Sequence, residues 1–245
     1  MTAAGRGPGH GVRIGATVPQ GGDLRLVVLD FDGTLVDSQA LIQASMARAF
    51  AKAGLQAPSR AAVLGIVGLS LPEAIAVLQP GLDPVKADRV VEGYRIANHA
   101  LGQGTDGRGM APLFAGARAA LDRLAALGPE LLLGIATGKS RSGLDDMLAQ
   151  HDLEGYFTTI QTADRHPSKP HPAMLEACLA ATGVAPERAV MVGDTSFDIE
   201  MGRAAGLRTI GVSWGYHTPD RLAAAGADRV IASFEALDEA LAGML

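Results

Sequence analysis

A single cysteine, Cys178, stands among the 245 residues. No intrachain disulfide is available, and cysteine usage gives no sign of an oxidising compartment. Cys178 shares a helical pattern with Met174, Leu175 and Leu179 and reads as a small buried hydrophobe rather than a nucleophile. Aromatic residues are equally sparse at 4%, which leaves Leu, Val, Ile and Ala to build a core and suits helices packed on a buried sheet. No apolar run approaches the ~20 residues that span a bilayer. The stretch from Met1 to Gly22 is rich in Gly with scattered Arg and Pro and lacks an apolar h-region. It predicts a disordered tail over 1–22 rather than a signal peptide, with the cytoplasm as the default location. Positive charge is not in excess either. A net charge of −5 argues against a general nucleic-acid partner, because phosphate backbones reward a basic face. It leaves room for a small anion gripped by a local lysine and a metal.

What the chain does have is short apolar runs ending in Asp, Gly or Thr. Leu24 to Leu29, Leu131 to Ala136, Tyr156 to Ile160, Ala189 to Val192, Arg208 to Val212 and Asp228 to Ile231 all read as buried strands. Helical patterns lie between them. One runs from Ala117 to Leu127 and closes at Gly128; another starts at Pro172 and ends at Gly183; a third runs from about Phe197 to Ala205. This alternation predicts an α/β fold, a doubly wound parallel sheet of Rossmann-like form. One interval breaks it. Between Asp37 and Met110 only helices are expected, near 39–53, 59–67, 71–78 and 84–101, followed by a flexible glycine-rich link over 102–109. The expected organisation is a catalytic core over 23–37 and 111–245, with an all-helical insert over 38–110.

Four stretches carry candidate chemistry. The first strand ends in Asp30-Phe31-Asp32-Gly33-Thr34. Two carboxylates at i and i+2 repel unless a cation lies between them or one holds a proton. Either remedy is useful, since the cation binds phosphate and the proton serves a leaving group. Thr137-Gly138 follows another strand, where a hydroxyl and backbone N–H groups form an oxyanion cradle or a plain turn before a helix capped by Ser140 or Ser142. Lys169 lies in Ser168-Lys169-Pro170-His171-Pro172, a stiff loop that lowers the entropy lost on gripping an anion. Asp194 ends a strand, and Asp198 sits one helical turn further on, as a partner of a hard divalent cation or of the helix dipole.

Taken together and in this order, these stretches resemble the haloacid dehalogenase superfamily, and most closely its phosphoglycolate-phosphatase-like branch with a helical cap. The resemblance runs from Leu24 to Leu245. It implies a Mg²⁺-dependent phosphatase acting on a small phosphorylated metabolite through an aspartyl-phosphate, with neither nucleic acid nor membrane as partner. By likeness, Asp30 attacks phosphorus and binds Mg²⁺. Asp32 protonates the leaving oxygen, later serves as base, and binds the metal through its carbonyl. Thr137 and Gly138 hold phosphoryl oxygens, Lys169 screens Asp30, Asp194 completes the metal ligands, and Asp198 anchors the group from behind.

Rival readings differ in identifiable ways. Dehalogenation needs neither metal nor an acid at Asp32. A phosphonate hydrolase needs a cap lysine, and Lys52 reads as a solvated helix end. A sugar phosphomutase shares the motif set, and a non-catalytic phosphoester-binding regulator keeps the fold. In this superfamily the cap reads the leaving group, so the turn 66–73 and Arg48, Ser70, Tyr94 and Arg95 are candidate specificity residues. His99, His166 and His171 lack paired metal spacing. Phosphoglycolate is the working substrate by resemblance alone; sugar phosphates, pyrophosphate and the oligomeric state stay open.

Overall fold

β1 (Arg25–Leu29) is buried on both faces, and its residues alternate between two cores. Val27 and Leu29 face one apolar cluster while Leu26 and Val28 face the other, as the two-residue period of a strand requires. The chain then leaves the sheet for α1 (Gln39–Lys52), α2 (Arg60–Leu64), α3 (Leu71–Leu78), α4 (Pro84–Gly102) and the short α5 (Gly107–Met110). It returns through α6 (Ala117–Ala126), β2 (Leu131–Thr137), α7 (Arg141–Gln150), β3 (Thr159–Thr162), α8 (Ala173–Thr182) and β4 (Ala189–Gly193). The last elements are α9 (Ser196–Ala204), β5 (Arg208–Val212), α10 (Pro219–Ala224), β6 (Arg229–Ile231) and α11 (Leu237–Ala242). This computed structural model describes residues 24–103 and 107–245. The tail expected over 1–22 lies outside the described residues.

All strand pairs are parallel, in the order β3-β2-β1-β4-β5-β6. One face is covered by α6, α7 and α11 through Leu121, Leu124, Leu144 and Leu237, the other by α8 and α9 through Leu175, Cys178 and Met201. The expected doubly wound fold is therefore present, and Cys178 is the buried thiol its neighbours implied. The helical cap has a core of its own. Ile42, Met46, Ala49 and Phe50 recur at the i, i+4, i+7, i+8 spacing of one face of α1 and meet Val63, Ile75, Val90 and Val91. No described helix is long and apolar enough to cross a membrane.

Three local expectations need correction. β3 begins at Thr159, not Tyr156, because pairing with β2 starts at Gly134, and Tyr156 and Phe157 instead pack as loop residues against the core. α2 ends at Leu64, not Val67. Ser59 caps it on Ala62 N–H as expected of a serine there, but the chain turns at Gly65, and Leu69 N–H bonds Ile66 O at 3.2 Å. The link over 102–109 is not wholly irregular: α4 runs to Gly102 and α5 starts at Gly107, anchored by Met110 against the sheet core. Residues 104–106 of that link lie outside the described residues.

Candidate active site

In this sheet the strand order reverses between β1 and β4, the point where open α/β sheets bind ligands beyond the carboxyl ends of their strands. Asp30 follows β1, Asp194 follows β4 and Thr137 closes β2. After Asp30 the chain folds back at once, with Leu35 N–H and Val36 N–H both on Phe31 O at 3.0 Å. Gly33 makes this possible with φ +87°, and a Cβ there would stand 2.3 Å from Asp194 Oδ2. Its bare Cα thus leaves the space that the Asp194 carboxylate fills. Thr34 Oγ1 donates to Asp194 Oδ1 at 3.0 Å and Tyr216 N–H to Asp194 Oδ2 at 2.9 Å, so both oxygens are aimed.

Lys169 is 1% exposed, with Nζ 2.6 Å from Asp198 Oδ1 and 2.8 Å from Asp30 Oδ1. The other Asp198 oxygen accepts from Thr195 N–H at 3.0 Å and Thr195 Oγ1 at 2.7 Å, a reciprocal cap on α9. Asp198 is therefore committed to holding Lys169 and the α9 terminus. Asp30 is not committed. Neither of its buried oxygens accepts a well-aligned hydrogen bond, and Lys169 meets it as an ion pair at 2.8 Å.

Ligand oxygens of Asp30, Asp194 and Asp198 all lie within 4.8 Å of one another. With all three ionised, the buried carboxylates beside one ammonium would leave two uncompensated negative charges. Burial, and then the neighbouring Asp198 charge against the pull of Lys169, push the Asp30 carboxyl up to about 7. Burial with Asp198 and Asp30 pushes Asp194 well above the carboxylate range. Burial opposes the charge on Lys169, but Asp198 and Asp30 prevail and hold it protonated above the usual lysine range. An all-oxygen donor set, an orphaned Asp30 and two surplus negative charges suit a hard divalent cation.

Asp32 lies apart from this trio. Its two oxygens receive Lys139 Nζ at 3.1 and 3.0 Å, and both residues line a cavity of about 500 Å³ between the sheet and the cap. Thr137, Gly138, Ser70, Tyr94 and Arg95 line the same cavity. The turn after α2 closes on Gly138 so tightly that a Cβ there would stand 2.6 Å from the carbonyl oxygens of Gly68 and Leu69. Ser70 N–H donates to Ser168 Oγ at 2.7 Å, tying cap to core beside Lys169.

The structure thus gathers Asp30, Asp194, Asp198 and Lys169 into one cluster, and sets Asp32, Thr137 and Gly138 on the adjoining wall. Arg48 is exposed and outside the cavity, and Lys52 is exposed at the end of α1. The histidines are dispersed: His99 pairs with Asp146, His166 with Gln161, and His171 with the N–H of Ala173. Sequence reasoning gave Lys139 no role, although it directly follows Thr137-Gly138, and a lysine next to an expected oxyanion cradle was a visible signal. It also passed over Thr34, Tyr216 and Asn98. Tyr216 acts through its backbone N–H, which no residue type announces.

The haloacid dehalogenase-like hydrolase family matches residues 27–212, and the chain belongs to that family. It is 33% identical over 193 residues to the pyrophosphatase PpaX of Bacillus pumilus, covering 78% of this chain and 84% of that protein. It is 30% identical over 200 residues to a phosphoglycolate phosphatase of Pseudomonas fluorescens, covering 79% and 71%. A haloacid dehalogenase-like family hydrolase from Streptococcus pneumoniae shares the fold with a TM-score of 0.75 and 25% identity, over 91% of this chain and 99% of that one.

Proposed function

We propose that this protein is a Mg²⁺-dependent phosphatase that hydrolyses a small phosphate monoester, with Asp30 as nucleophile. The observation that carries the reading is Asp30 itself: a buried carboxylate at the switch point of the sheet, with neither oxygen in a well-aligned hydrogen bond and a lysine at 2.8 Å. The pyrophosphatase and phosphoglycolate phosphatase names of two relatives support the same reaction class. Residues 38–110 serve as the cap and 23–37 with 111–245 as the catalytic core.

Asp30 attacks phosphorus, forming an aspartyl-phosphate, while Asp32 gives its proton to the leaving alkoxide. Water then attacks the same phosphorus, Asp32 takes back a proton, and the Asp30 carboxylate is released with inorganic phosphate. Thr137 Oγ1 and the Gly138 N–H hold the phosphoryl oxygens, and Lys169 lowers the repulsion between Asp30 and the dianion. Asp30 and Asp194 would hold Mg²⁺ with the Asp32 carbonyl, supported by Asp198. When bound, the ion supplies positive charge that neutralises the phosphoryl group. Lys139, on both oxygens of Asp32, positions the proton carrier. The cap turn at Gly68 to Ser70 keeps bulk water off the first step.

The test is phosphate release from a panel of small monoesters, sugar phosphates and pyrophosphate, with and without Mg²⁺, for the wild type and Asp30→Asn. Metal-dependent release abolished in Asp30→Asn is expected. Interconversion of sugar phosphate isomers without net release would replace the phosphatase with a mutase, and silence on every compound would count against catalysis altogether.

A further inference from the structure

The cavity is too large for a phosphoryl group alone. At about 500 Å³ it has the size of sites that enclose a whole small metabolite. The charged part of its wall is acidic on balance. Carboxylates Asp30, Asp32, Asp146 and Asp164 line it beside three basic groups, Arg95, His99 and Lys139. Lys139 is committed to both oxygens of Asp32, and His99 Nδ1 lies 3.2 Å from Asp146. Arg95 has a side chain 55% exposed and stands 4.0 Å from Glu92, so its head belongs to the solvent rim. Among the described residues, no lining cation is both buried and uncommitted.

The cap wall is apolar where it faces the sheet. Ile42 and Met46 of α1 line it, as do Ile66 and Leu71 on either side of the cap turn. Tyr94 and Asn98 of α4 interrupt it with neutral polar groups, four residues apart and so on the same helix face. Asn98 Nδ2 donates to Ser45 Oγ at 3.3 Å. A second carboxylate or phosphate brought against this wall would lose water and find no buried counter-charge, while Asp146 and Asp164, like Arg95, stand at the solvent rim.

We infer that the leaving group is an uncharged alcohol with a largely apolar carbon body, seated against Ile42, Met46 and Leu71. Substrates with a second anion, phosphoglycolate and pyrophosphate included, are disfavoured by this wall. The inference rests on the phosphatase reading and narrows its substrate class. Specificity of this kind is set by rejection as much as by contact, the rejecting element here being the unpartnered desolvated anion.

The test compares kcat/KM in Mg²⁺ for cyclohexyl phosphate, phosphoglycolate and pyrophosphate. Cyclohexyl phosphate is expected to lead by about a hundredfold, the scale of an unpaired buried anion, although cyclohexanol is the poorest leaving group of the three. Asn98→Lys places a cation on the cap wall at a partly exposed position. It is expected to raise kcat/KM for phosphoglycolate about tenfold and to lower it for cyclohexyl phosphate. A lead for phosphoglycolate or pyrophosphate in the wild type would overturn the inference and leave the phosphatase reading intact. Absence of Mg²⁺-dependent hydrolysis on all three, in wild type and variant alike, would overturn both.

Discussion

Lys169 Nζ and Asp198 Oδ1 stand 2.6 Å apart, and neither side chain reaches solvent. The same carboxylate caps α9 through Thr195, so one residue joins the lysine of the site to the helix that follows Asp194. Asp198→Ala removes a cap and strands a buried ammonium with Asp30 alone. A loss of about 3 kcal/mol in unfolding free energy is expected, read by urea denaturation. Asp198→Asn keeps the cap acceptor and is expected to lose less.

The metal-free protein is expected to show an inverted pH dependence at this site. The Asp30 carboxyl moves from 3.8 to about 7 on folding, because burial opposes its charge. The folded state therefore binds the proton more tightly than the unfolded chain. Its contribution to stability is full below about pH 4 and is lost as pH rises towards 7. Thermal melts in chelator should show wild type minus Asp30→Asn declining across that window. Mg²⁺ bound at Asp30 as proposed would compete with the same proton, so its stabilisation should be larger at pH 7.5 than at pH 5.

Lys139 is expected to act on rate rather than on affinity. Lys139→Met frees both oxygens of Asp32 from the ammonium that fixes them. A misplaced proton carrier costs on the order of 10²-fold in kcat, with KM changed far less. Steady-state kinetics on any accepted monoester separates the two parameters.

Gly33→Ala tests the space behind the cluster. The new Cβ would fall 2.3 Å from Asp194 Oδ2 at a φ of +87°. Displacement of that carboxylate is expected to weaken Mg²⁺ at least about tenfold, measured by the metal concentration at half-maximal thermal shift. An unchanged metal dependence would separate Asp194 from the ion.

Much of this was legible in the chain. Strands with apolar residues on both faces follow from Leu26 to Leu29 as read, and the helical insert followed from the absence of any two-residue alternation between Asp37 and Met110. Asp30 and Asp194 were visible as charged residues closing strands, Lys169 as one in a stiff loop, and Asp198 as one a helical turn beyond Asp194. Their contact was not, since Lys169 and Asp198 meet across 29 positions by way of the sheet. β3 was misplaced because Tyr156 and Phe157 carry strand propensity but serve packing. The Lys139–Asp32 pair spans 107 positions, and no local pattern reports which carboxylate a lysine will reach. The His99–Asp146 pair on the cavity wall belongs to the same class of information, available only when α4 and α7 face each other.

The central claim is that Asp30 carries the phosphoryl group. The most direct measurement is rapid acid quench of the enzyme turning over a monoester in Mg²⁺, borohydride reduction, and mass spectrometry of the peptide containing residues 25–37. An aspartyl-phosphate is reduced to homoserine, so homoserine at position 30 is the predicted result. Homoserine at another aspartate, or none while phosphate is being released steadily, would contradict it.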